Sequence, residues 1–136
     1  MIVRDFELSD INKGLIETLN EVWSISEISE KTISDFLSSH NHMMVIEYEN
    51  QIIGCATLHL QHKLIRNGCI AGFIEEVVIR EKYRNNNLGS KLIEELLKKS
   101  KKYGCYKVVL NCFPERVAFY ERNGFHNESI CMRYDF

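Results

Sequence analysis

A chain of 136 residues, 45% hydrophobic and 26% charged, has room for one ordinary domain with its own core and none for a second; the expectation is a single domain over residues 1–136. The formal net charge of -2 excludes a general nucleic-acid binder, which needs a basic surplus to replace counterions along the phosphates. Five cysteines with no C-x-x-C spacing point to a reducing compartment, and without a leader-like N-terminus or a membrane-length apolar run the protein is expected to be cytoplasmic, with no membrane partner.

In chain order, residues 2–6 read as a short strand, after which Ser9 or Asp10 caps a helix carrying Ile11, Leu15, Leu19 and Val22 at helical spacing. A second helix starts near Ser29 and turns Ile33, Phe36 and Leu37 inward. Residues 43–48 and 52–60 are apolar, β-branched runs separated by Glu49-Asn50-Gln51, the pattern of a hairpin. After a turn at Arg66-Asn67-Gly68, a long strand covers roughly residues 69–80 and ends in a polar segment rich in turn formers. Then the period changes. Leu88, Leu92, Ile93, Leu96 and Leu97 form one apolar stripe of a helix over residues 88–103, with Glu94/Lys98 and Glu95/Lys99 paired outside. Gly104 ends that helix, and residues 106–110 follow as a short buried strand. Pro114 opens another helix, Asn123-Gly124 closes it, and a last strand runs over residues 125–134. The order β-α-α-β-β-β-α-β-α-β predicts an α/β fold of the mixed α+β kind. Helices flank a mixed central sheet, and the helix at Leu88 crosses between two parallel strands.

Three places could carry chemistry. At Arg84-Asn85-Asn86-Asn87-Leu88-Gly89-Ser90, successive N–H groups of a turn lead into a helix N-terminus, a site for a phosphate or pyrophosphate to which Arg84 adds a cation. A plain polar loop that uses Asn for left-handed turns fits the same residues. Glu75 and Glu76 are adjacent carboxylates inside the most hydrophobic strand, where burial of charge needs a reason. Neighbours on a strand face opposite ways, so both reach one cleft only across a bulge or splay. The alternative puts one in solvent and the other in a structural ion pair. Tyr120 could protonate a leaving thiolate or could simply pack. Lys63, Arg66 and Arg133 could bind an anion, Cys112 lacks an identifiable His partner, and His59 and His62 lack the acidic cluster of a metal site, so no metal is expected.

Together these segments resemble the GNAT superfamily of N-acetyltransferases, whose hallmark is Arg/Gln-x-x-Gly-x-Gly/Ala between a long strand and its helix. Here Asn87 stands at the first glycine, a residue that tolerates the left-handed backbone. Within that superfamily the chain is similar to eukaryotic glucosamine-6-phosphate N-acetyltransferases. Phe73-Ile74-Glu75-Glu76-Val77-Val78-Ile79 resembles their His-Ile-Glu-Asp-Ile-Val-Val, and Tyr103-Gly104-Cys105-Tyr106-Lys107 repeats their Tyr-Gly-Cys-Tyr-Lys. Val117-Ala118-Phe119-Tyr120-Glu121-Arg122-Asn123-Gly124-Phe125 resembles their Val-x-Phe-Tyr-x-x-x-Gly-Phe. The likeness runs from about residue 43 to the C-terminus.

The resemblance implies transfer of acetyl from acetyl-CoA to the 2-amino group of glucosamine 6-phosphate, a step toward UDP-N-acetylglucosamine, by direct attack in a ternary complex on a homodimer. It places coenzyme A on the N–H groups of Val77, Val78 and Ile79 and on the turn from Arg84 to Ser90, substrate at Glu75, Glu76, Asn111 and Arg133, and Tyr120 near the sulfur. Two residues depart from the pattern. Asn111 stands where some relatives carry an acid, and an amide cannot be a base, so that role passes to the glutamates or solvent. Arg116 replaces an asparagine that contacts the cofactor. A GNAT enzyme for another small amine or a protein, and an acyl-CoA-binding protein without turnover, are the alternatives.

Overall fold

The computed structural model describes residues 1–136. Five strands form one sheet in the order β1-β2-β3-β4-β5: β1 Ile2–Asp5, β2 Asn41–Tyr48, β3 Gln51–His62, β4 Ile70–Ile79 and β5 Cys105–Leu110. The first four are antiparallel neighbours, and β4 and β5 are parallel. Glu49 and Asn50 both adopt positive φ, so the β2–β3 hairpin turns through two left-handed residues, the geometry that matches strand twist. Arg66, Asn67 and Gly68 are left-handed as well and reverse the chain before β4.

Both faces of the sheet are covered, which explains apolar runs in place of strict alternation. On one face, α3 (Leu88–Lys102) lays Leu88, Leu92, Ile93 and Leu96 on Met44, Ile46, Ile53, Leu58 and Ile74. Each such side chain contributes about 1.5–3 kcal/mol by leaving water. Being the crossover between β4 and β5, α3 fixes where its N-terminus opens. On the other face, Leu15 and Leu19 of α1 (Leu15–Leu19) pack on Met43, Val45, Ile52, Cys55 and Val78, with Phe36 of α2 (Glu30–Ser38) beside them. Ser29 caps α2 by accepting from the Thr32 N–H. α4 (Val117–Arg122) follows a turn begun by Pro114.

The structure corrects several expectations. The first helix is not continuous: residues Leu8–Lys13 form a 3-10 segment, and Gly14 breaks it at φ 87° before α1. A Cβ at Gly14 would stand 2.2 Å from Nη2 of Arg80, which donates to the Gly14 carbonyl at 2.6 Å while its Nε donates to Thr18 Oγ1 at 2.8 Å. Val22 and Leu37 point to solvent. Lys99 pairs with Asp5 of β1 and leaves Glu95 to Lys98. β5 is a half-exposed edge strand, and no strand forms after α4: residues 126–136 are exposed and unpaired, because a last strand needs an edge that this chain's own tail does not reach.

Asp10, fully buried, is not the N-cap of the first helical segment, a place taken by Glu7; it closes the capping box from the third helical position and anchors an ion network. Arg4 donates to both of its oxygens at 2.7 and 2.8 Å and to Glu47 at 2.6 Å, and the Glu7 N–H donates to it at 2.8 Å. Burial opposes its charge, but these bonds and the cations of Arg4 and Lys13 win and hold the carboxyl below its ordinary value of 3.8. A depressed folded value means stability that is present above the unfolded value and lost as pH falls through the folded one. Urea unfolding should therefore show a steep loss of stability below about pH 4. Asp10→Asn should lose on the order of 3 kcal/mol at neutral pH and show a shallower acid decline.

Candidate active site

The centre of the site is an irregularity in β4. Thr57 faces Glu75 and Cys55 faces Val78, so Glu76 and Val77 together oppose the single residue Ala56. This bulge turns the side-chain alternation over. Ile74 and Val77 pack toward α3, whereas Val78 packs toward α1. Glu76 sits at the turning point with φ 55°, a conformation that costs a residue with a Cβ about 1–2 kcal/mol. Both carboxylates therefore reach the same face of the sheet, as the adjacent pair requires if they are to share a cleft. They are not buried as charges in the core. Glu75 is exposed, while Glu76 is half-buried and accepts from Thr57 Oγ1 at 2.8 Å through Oε2.

A second feature lies on the other edge of the same strand. Pairing between β4 and β5 stops at Ile74 and Leu110, so residues 75–79 have no strand beside them on that side. Val77, Val78 and Ile79 thus lie along a strand edge that β5 leaves unpaired, in a wedge between the strands where an extended amide-bearing ligand can pair with backbone groups; the Ile79 carbonyl already accepts from Arg84. Asn111 and Cys112, both exposed, continue from the end of β5 on the far side of the wedge.

Beyond β4 the chain turns into α3. Asn85 and Asn87 are left-handed with φ 64° and 60°, and the Asn86 side chain donates back to the carbonyls of Tyr83 and Arg84 at 3.1 and 3.2 Å. Alternating handedness turns successive N–H groups inward, ahead of the free N–H groups of Leu88, Gly89 and Ser90 at the start of a 15-residue helix. Asn87 takes the left-handed place that a glycine would hold. A Cβ on Gly89 would stand 3.1 Å from Cζ of Phe119, so this glycine also lets α4 pack against α3. The Arg84 side chain points elsewhere: its Nε donates to the Ile79 carbonyl at 3.0 Å and its Nη2 meets Glu21 at 3.3 Å.

Tyr120 on α4 is half-buried, its ring edge-on to Phe119 and Phe125 at 4.9 and 5.9 Å. Burial raises its pKa, a nearby Cys112 adds to the rise, and Arg116 works against it, so the phenol keeps its proton at neutral pH. Arg133 is not brought to the site within one chain. It lies on the exposed tail and bonds Asp135 at 2.7 Å. Thr57 escaped the sequence reading; its signal was a hydroxyl residue in an otherwise apolar run.

A bulged strand with an open edge, followed by an N–H-lined turn and a crossover helix, defines an acyl-CoA-dependent transferase fold, and the chain matches the Acetyltransferase (GNAT) family over residues 8–125 and belongs to it. It is 35% identical to "Glucosamine 6-phosphate N-acetyltransferase" of Arabidopsis thaliana over 96% of this chain and 93% of that one. It is 32% identical to "Glucosamine 6-phosphate N-acetyltransferase 1" of Dictyostelium discoideum over 95% of this chain and 87% of that one. The crystal structure of the glucosamine-6-phosphate N-acetyltransferase from Arabidopsis thaliana superposes with a TM-score of 0.91 at 33% identity, covering 99% of this chain and 97% of that one. No helix is long and apolar enough to cross a membrane.

Proposed function

We propose that this protein acetylates the 2-amino group of glucosamine 6-phosphate using acetyl-CoA. The observation that carries the reading is the β4 bulge, which sets two carboxylates on one face of the strand whose other edge is open to a thioester ligand. Bound acetyl-CoA supplies the acyl group in activated form. The open edge at Val77, Val78 and Ile79 pairs with its amide-bearing arm, and the turn from Asn85 to Ser90 takes its pyrophosphate; Arg84 joins only by leaving Glu21. Glu76, held by Thr57, accepts the proton of the sugar amine, Glu75 contacts the sugar hydroxyls, and Asn111 lines the acceptor side. Tyr120 donates a proton toward the departing sulfur. Five free thiols suit a reducing, cytoplasmic setting.

The tail supports a homodimer. Ile130, Met132, Tyr134 and Phe136 alternate along it and are all exposed, while β5 leaves its outer edge unpaired. An alternating apolar segment and an open edge satisfy one another between two copies, and the tail would carry Arg133 to the partner's phosphate site. Sedimentation at micromolar concentration should give twice the 16.0 kDa chain mass, and a fully active monomer would remove the shared site.

Thiol release from acetyl-CoA with glucosamine 6-phosphate beside unphosphorylated glucosamine tests the acceptor. Strong preference for the phosphorylated sugar is expected, and turnover of a different amine alone would move the enzyme to another acceptor. Gly89→Val should weaken acetyl-CoA binding about tenfold in a folded protein, because its branches crowd Phe119 and the start of α3. Unchanged affinity by calorimetry would argue against the pyrophosphate at this turn.

A further inference from the structure

We infer that Thr57 is the positioning residue of this enzyme: its hydroxyl fixes the Glu76 carboxylate in the one rotamer that presents a free oxygen to the acceptor amine. The inference rests on the proposed acetyl transfer and adds to it a residue on a different strand.

Thr57 is 3% exposed and lies directly opposite Glu75 in register, so it stands beneath both carboxylates on the face they share. Its Oγ1 donates to Glu76 Oε2 at 2.8 Å. One oxygen of the carboxylate is thereby occupied and Oε1 is left to accept a proton. Two residues earlier on the same face, the Cys55 thiol lies 3.9 Å from the Glu76 backbone carbonyl. Burial pushes that thiol far above its ordinary range, so it stays protonated and can act as a donor. Cys55 and Thr57 therefore hold the left-handed Glu76 at its backbone and at its carboxylate. Glu75, by contrast, makes no hydrogen bond with its side chain and is exposed. A proton acceptor works only within hydrogen-bond reach of its donor, and a free glutamate side chain samples several rotamers. The hydroxyl restricts Glu76 to one of them, which is the preorganisation that a supporting group supplies.

Thr57→Val keeps the shape of the side chain and deletes the donor, whereas Thr57→Ser keeps the donor. With glucosamine 6-phosphate, Thr57→Val should lower kcat about tenfold or more with KM within about twofold of wild type, and Thr57→Ser should restore most of the rate. Acetyl-CoA affinity should be unchanged in both. In a Glu76→Gln background, Thr57→Val should add less than about twofold, because its effect passes through that carboxylate. Wild-type kcat in Thr57→Val, an equal loss in Thr57→Ser, or a full further loss in the Glu76→Gln background would overturn the inference. If the wild-type enzyme acetylates another amine and not the phosphorylated sugar, the acceptor reading alone fails, and the same variants assayed with that amine decide the role of Thr57. A wild-type protein that acetylates no amine overturns both.

Discussion

Glu76→Gln is expected to lower kcat with glucosamine 6-phosphate about a hundredfold while leaving acetyl-CoA binding intact, the size of effect that loss of a positioned general base produces. The amide preserves the volume of the side chain and can still accept from Thr57 Oγ1, so the bulge and its hydrogen bond survive. What it loses is the capacity to take a proton. Glu75→Gln should differ in kind. The exposed Glu75 side chain has no partner fixing it, and as a ligand of sugar hydroxyls its loss should raise KM several-fold with a smaller change in kcat. Steady-state kinetics on both variants separate the roles. An exchange of the two phenotypes would make Glu75 the base, and wild-type kinetics in both would make the pair structural.

Tyr120→Phe should slow acetyl transfer on the order of tenfold to several hundredfold, with acceptor KM little changed, because the hydroxyl matters only as thiolate develops. The ring keeps its edge contacts with Phe119 and Phe125, so folding should be unaffected. Burial raises the phenol's pKa, which means that the proton-donating form persists to higher pH than for a solvated tyrosine. The alkaline limb of the wild-type kcat profile should accordingly lie above the ordinary tyrosine value, about 10, and Tyr120→Phe should lack it. Wild-type turnover in the variant would return Tyr120 to core packing.

Much of the scaffold was legible because local rules sufficed. The stripe from Leu88 to Leu96 specified a helix, Glu49-Asn50-Gln51 marked the hairpin turn between two apolar runs, and Asn50 and Asn87 are residues that tolerate the left-handed backbone found at both places. The site was legible as a condition: adjacent Glu75 and Glu76 could share a cleft only across a bulge. That the bulge exists depends on the register of β3 against β4, where Ala56 faces two residues, and no run of β4 alone reports it. Gly14 looked like one more residue of a helix, and its left-handed break became visible only with Arg80 and Thr18 packed around it. Arg84 has the charge for a pyrophosphate, yet Glu21 and the Ile79 carbonyl, 63 and 5 residues away, decide where it points. The tail has the alternation of a strand and remains unpaired, since a strand exists only against an edge. The sequence by itself determined most of the elements, the family and the two carboxylates, because periodicity, turn chemistry and residue identity act over a few neighbours, but not the break at Gly14 or the fate of the tail. The tertiary structure alone decided that Thr57 meets Glu76, that β4 parts from β5 after Ile74, and that the tail finds no partner in its own chain, because register and splay are set by packing between segments far apart in the chain.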